Sequence, residues 1–137
     1  MAEPRVFVFD SSVLLLYLAG DNKVEVLVNR VNDGVTKGYM LEPCVSEIYT
    51  KINEKFGIDE ANKVLEAIKN SKMQVIDVNY ELMRDAGELK STYKSKLSMI
   101  GAYMIALAKS LNAVLVTSDE FIAKTNEVKV ELVKVRV

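Results

Sequence analysis

Asp10 closes the run VFVFD, and Asp119 follows AVLVT within TSDEF. Each stands where a β-branched and aromatic run gives way to helical patterning, and in an open parallel sheet that is the end where ligands bind. Two carboxylates brought within a few ångströms there either share a proton or bind a cation. An all-oxygen donor set favours Mg²⁺ or Mn²⁺, ions that keep several waters and accept a phosphate oxygen as a further ligand. The structural reading of the same residues is helix capping. Asp10, Ser11 and Ser12 are all N-cap residue types. Thr117 with Glu120 three residues on fits a capping box, which leaves Asp119 unassigned.

Composition narrows the chemistry by exclusion. The 137 residues include no histidine, which removes serine-histidine triads, histidine acid-base pairs and histidine-ligated zinc together. Catalysis must then run on carboxylates, hydroxyls, lysines or tyrosines. Cys44 stands alone, so no disulfide forms within the chain and a cytoplasmic protein is expected. A net charge of -1 gives no broad attraction for nucleic acid, and any polyanion must be held by a local patch. MAEPRVFVFD has no basic segment followed by an apolar one, so no signal peptide is expected, and the longest apolar run is too short to span a bilayer.

The acids need a scaffold. At this length one domain is expected over residues 1–137, with about two thirds of the chain's surface buried on folding. RVFVFD after Pro4, YMLEP, MQVIDV, AVLVT and VKVELVKV read as strands. Between them SSVLLLYLA, NKVEVLVNRVN, CVSEIYTKINEKF, EANKVLEAIKN capped by Asp59, YELMRDAGELKSTYK and SMIGAYMIALAKSLN read as helices. The alternation implies a mainly parallel central sheet in a three-layer α/β/α sandwich. The last of these helices is apolar nearly all round and must be covered on most sides.

Taken in order, VFVFDSSVLLLYL, LEPCVSEIYTKI and LSMIGAYMIALAKSLNAVLVTSDEF resemble the acidic blocks of the PIN domain family. Its members are mostly metal-dependent ribonucleases and include the VapC-type toxins of toxin-antitoxin pairs. The resemblance covers nearly the whole chain. It implies Asp10, Glu47 and Asp119 as catalytic ligands of Mg²⁺ or Mn²⁺, with Ser12 and Thr117 as supporting or substrate-orienting hydroxyls. It further implies an RNA substrate, a small antitoxin partner, a homodimer and no membrane. Helix geometry alone treats Glu47 differently: Val45, Ile48, Tyr49, Ile52 and Phe56 share one face, and Glu47 points nearly the other way, within reach of Lys51.

One residue breaks the family pattern. The block L-S-x-x-D-A-x-x-x-A-x-A has an aspartate where this chain has Gly101, and a helical glycine costs about 1 kcal/mol relative to alanine. Three readings stand: an acid lost from a nuclease framework, a close approach between packed elements, or an enzyme that works with three acids, waters and substrate phosphate. The first makes the chain a catalytically impaired module that binds RNA or a protein partner. A strip of Arg84, Lys90, Tyr93, Lys94 and Lys96 suits an RNA backbone and a stacked base, or equally a solvated helix face.

Overall fold

The computed structural model describes residues 5–135, so Pro4 lies outside the described residues. Five strands, β1 (Val6–Phe9), β2 (Lys37–Leu41), β3 (Gln74–Ile76), β4 (Val114–Thr117) and β5 (Val130–Leu132), form one sheet in the order β3-β2-β1-β4-β5. Every pairing is parallel. The helices are α1 (Ser11–Leu18), α2 (Asn22–Asn32), α3 (Glu42–Phe56), α4 (Ile58–Asn70), α5 (Tyr80–Tyr93), α6 (Met99–Leu111) and α7 (Glu120–Thr125). They flank the sheet in the expected α/β/α arrangement.

The central strands explain their own sequence. β1 is hydrogen-bonded on both sides, and Phe7, Val8 and Phe9 are all buried, so its residues run apolar without alternation. The outer strands are shorter than their apolar runs suggest. Only three residues pair in β3 and three in β5, and Val75 and Leu132 stay partly exposed at these edges. Short edges limit pairing with other chains.

α6 lies across β1 and β4 and packs on α5. Its run from Met104 to Ala108 is buried, as an all-round apolar helix requires. Asp59 is a correction. α4 starts at Ile58 after Gly57, whose φ of +95° lets the chain turn directly from α3, and Asp59 sits inside the first turn without capping it. Its charge still complements the helix dipole there.

β2 and α2 approach closely at Gly38. A Cβ there would stand 2.8 Å from Val31 Cγ2 and 2.9 Å from Met73 Sδ, and the branched Val31 side chain has little freedom to yield. Gly38→Ala should lower stability by about 1–3 kcal/mol, the usual penalty of overpacking, read as an earlier urea midpoint. An unchanged midpoint would contradict this packing.

Candidate functional site

The pairing of β1 with β4 places Phe9 beside Val116, and the Asp10 N–H continues the ladder by donating to the Val116 carbonyl at 3.0 Å. Asp10 and Thr117 therefore leave the sheet side by side. Asp10 occupies the N-cap position of α1, and its carbonyl accepts from Val13 and Leu14, but its carboxylate makes no capping bond. Oδ2 instead accepts the Thr117 hydroxyl at 2.7 Å, and Oδ1 accepts that of Ser11 at 3.3 Å. Thr117 is fully buried and its oxygen also accepts the Asp119 N–H at 3.1 Å. The capping-box expectation is thus corrected: Asp119, not Thr117, caps α7, with Oδ1 accepting from Phe121 and Ile122 at 2.9 and 3.3 Å. The other Asp119 carboxylate oxygen accepts no bond within the described residues.

A second hydroxyl pair lies beside the first. Ser118 Oγ donates to Ser12 Oγ at 2.9 Å, linking the two strand-to-helix turns. Sequence reasoning passed over Ser118, whose only signal was its place between Thr117 and Asp119.

Glu47 reaches the same neighbourhood from α3. The buried residues of that helix are Cys44, Val45, Ile48 and Ile52, whereas Phe56, assigned to the core face from periodicity, is 61% exposed with the Lys55 ammonium over its ring. The buried arc is therefore rotated by about 40° from the expected face, at 100° per residue, which brings Glu47 from the far side to the flank. Partial desolvation, then the Asp10 charge, raises the Glu47 carboxyl above its ordinary value, and Lys51 opposes the shift. Beneath them burial, followed by Asp10 and Glu47, pushes the Cys44 thiol up to about 12. The Asp10 charge thus acts on both Glu47 and Cys44.

Among the described residues no group of three histidine, cysteine, aspartate or glutamate side chains is placed to hold a metal ion. The assembled unit is the Asp10 and Glu47 pair, with Asp119 two residues beyond the Thr117 bridge. Two mutually repelling, all-oxygen ligands fit a hard cation that retains most of its waters, and a cation there would cancel the repulsion.

At Gly101 the amino end of α6 comes close to its neighbours. α6 leads into β4, so its amino end lies at the carboxyl end of the sheet with the acids. A Cβ on Gly101 would stand 2.9 Å from Leu97 Cδ1, 3.1 Å from Ser98 Oγ and 3.4 Å from Ile122 Cδ1. Leu97 is 1% exposed, and the atom nearest to such a Cβ is the end of its side chain. Ser98 caps α6 by accepting the Gly101 N–H at 2.9 Å.

The Glu47 shift has a consequence for stability. A carboxyl whose folded value lies above its unfolded one favours the fold at low pH, and that contribution is lost as the pH rises through the raised value. At neutral pH, without metal, the ionised pair opposes folding. Glu47→Gln should therefore raise the melting temperature at pH 8 in EDTA and leave it unchanged near pH 3. Equal shifts at both pH values would show that Asp10 and Glu47 are not coupled.

A family model of the PIN domain matches residues 7–128, a span that contains Asp10, Glu47, Gly101 and Asp119. No curated protein matches the chain. Among solved structures, VapBC2 from Rickettsia felis, bound to a DNA fragment from its promoter, superposes with a TM-score of 0.76 at 12% identity, covering 94% of this chain and 99% of that one. VapBC-1 from nontypeable Haemophilus influenzae gives 0.72 at 15%, covering 93% and 97%. Mycobacterium tuberculosis VapC20, a sarcin-ricin loop cleaving toxin, gives 0.67 at 18%, covering 96% and 99%. These identities establish a shared fold, and the family match extends over most of the sequence, so the chain belongs to the PIN domain family.

Proposed function

We propose that this PIN domain is a metal-dependent endoribonuclease of the VapC type, the toxin of a toxin-antitoxin pair, hydrolysing RNA phosphodiesters in the cytoplasm with Mg²⁺ or Mn²⁺. The observation that carries the reading is Asp10 at the end of the central strand, freed from capping, oriented by the buried Thr117 hydroxyl and coupled electrostatically to Glu47. Asp10 and Glu47 would hold the cation, with Asp119 contributing its uncapped oxygen. A bound divalent ion would supply an activated water and neutralise charge developing on the phosphate.

The protein's own groups do the positioning. Thr117 fixes the Asp10 carboxylate and, through the Asp119 N–H, the turn that carries the third acid. Ser12 and Ser118 offer paired hydroxyls to an entering phosphate beside that turn. The likeness to VapBC assemblies supports an antitoxin partner and an oligomer, which we take to be a homodimer.

A second reading has its own observation. Leu97 occupies the space beside Gly101, and the acids gather as a pair rather than a full set, which suits a PIN-fold module that binds RNA or a protein without cutting. Cleavage of an end-labelled mixed-sequence RNA in Mn²⁺ separates the two. The nuclease reading expects cutting by the natural sequence and none in EDTA or with Asp10→Asn. It also expects cutting not to require Gly101→Asp, because a hard cation commonly uses one or two protein carboxylates and fills its other positions with water. Cutting by Gly101→Asp alone would establish the binding module instead.

A further inference from the structure

We propose that the turn between α5 and α6, residues 94–97, is a preformed docking loop for the backbone of single-stranded RNA, with Lys94 and Lys96 as its phosphate contacts and Lys90 as the residue that holds its shape. The identity of the ligand rests on the nuclease reading above. The loop itself rests on charge, hydrogen bonding and backbone conformation.

Between Glu88 and Asp119 the sequence has no acidic residue, whereas Lys90, Lys94, Lys96 and Lys109 all fall within that stretch. In a chain of net charge -1, Lys90, Lys94 and Lys96, gathered at one turn, make a local basic group of the kind a polyanion requires. The structure divides the strip expected from sequence into groups already engaged and groups left free. Arg84 is bound to Asp85 through Nε and Nη2 at 3.1 and 3.0 Å, the Tyr93 hydroxyl donates to Glu127, and Lys109 pairs with the same carboxylate. Lys90 is half-buried and donates to the carbonyls of Lys94 at 2.7 Å and Leu97 at 2.6 Å, so its ammonium lies under the turn. Lys94 and Lys96 are exposed and make no ion pair among the described residues.

The turn is held rather than loose. Lys94 has φ of 53° and ψ of -130°, a region that disfavours any residue with a Cβ and that glycine enters freely. The two carbonyls gripped by Lys90 and the burial of Leu97 impose it. Glycine would serve the backbone better at 94, and the lysine instead presents a cation. Leu97 packs against Gly101, and Gly101 lies close to Ile122 of α7, the helix that Asp119 caps. Leu97 thus ties the loop to the amino end of α6, beside the helix that Asp119 caps. A fixed loop loses less conformational freedom on binding than a flexible one.

Fluorescence anisotropy with a labelled mixed-sequence single-stranded RNA, in EDTA and over a salt series, tests the loop apart from cleavage. Neutralising each phosphate contact should reduce the slope of log affinity against log salt by about 0.7, so the Lys94→Gly/Lys96→Ala double variant should bind on the order of tenfold more weakly at 0.1 M salt. Lys94→Gly alone should melt at higher temperature than the parent while binding RNA less well, a divergence that a merely structural lysine would not produce. Lys90→Met should weaken binding and Lys90→Arg should restore part of it. An unchanged slope in the double variant, or no RNA binding by the parent, overturns the proposal. Parallel cleavage assays in Mn²⁺ keep the two readings apart: a parent that binds through the loop without cutting refutes the nuclease, and a parent that cuts with the same KM as the double variant refutes the loop.

Discussion

The bond from the buried Thr117 hydroxyl to Asp10 Oδ2 is the point on which the site depends. It exists because β1 and β4, separated by most of the chain, are neighbours in the sheet with Phe9 opposite Val116. That register brings two strand-to-helix turns together at the carboxyl end of the sheet. Without the bond, Asp10 would be an N-cap residue free to bond its own helix. With it, the carboxylate is held out of the helix end and faces Glu47, while the same threonine oxygen receives the N–H of Asp119. One hydroxyl organises two acids.

The energetic character of the site is repulsion held in place. Burial first, and then the Asp10 charge, raises the Glu47 carboxyl, and burial followed by both acids raises the Cys44 thiol. Like charges retained beside a buried core cost stability unless something neutralises them, which is the usual mark of a site built for a cation or for catalysis. At Gly101 the amino end of α6 lies close to Leu97 and Ile122. The same Leu97 carries one of the carbonyls gripped by Lys90, so the closure of this corner and the shape of the basic turn share a residue.

Much of the architecture was legible because it is written in local pattern. Unalternating apolar runs marked β1 and β4, glycines marked the ends of α1 and α3, and the two aspartates at strand ends stood out by position. Strand order was not legible, since parallel pairing is set by contacts far apart in sequence. Periodicity misplaced the face of α3 because it counted Phe56, which ends exposed, and left out Cys44, which is fully buried. Capping was misassigned to Thr117 because its hydroxyl finds a tertiary partner in Asp10 that no local motif reveals. Ser118 and the inward role of Lys90 belong to the same class, since their partners are fixed by tertiary packing.

The central claim is that Thr117 orients Asp10 as a metal ligand, and Mn²⁺ affinity measured by electron paramagnetic resonance tests it most directly. Removing an outer partner of a metal ligand typically weakens binding 10–100-fold. The account predicts a loss of that size in Thr117→Val and near-parental affinity in Thr117→Ser, which keeps the hydroxyl. Parental Mn²⁺ affinity in Thr117→Val would contradict it.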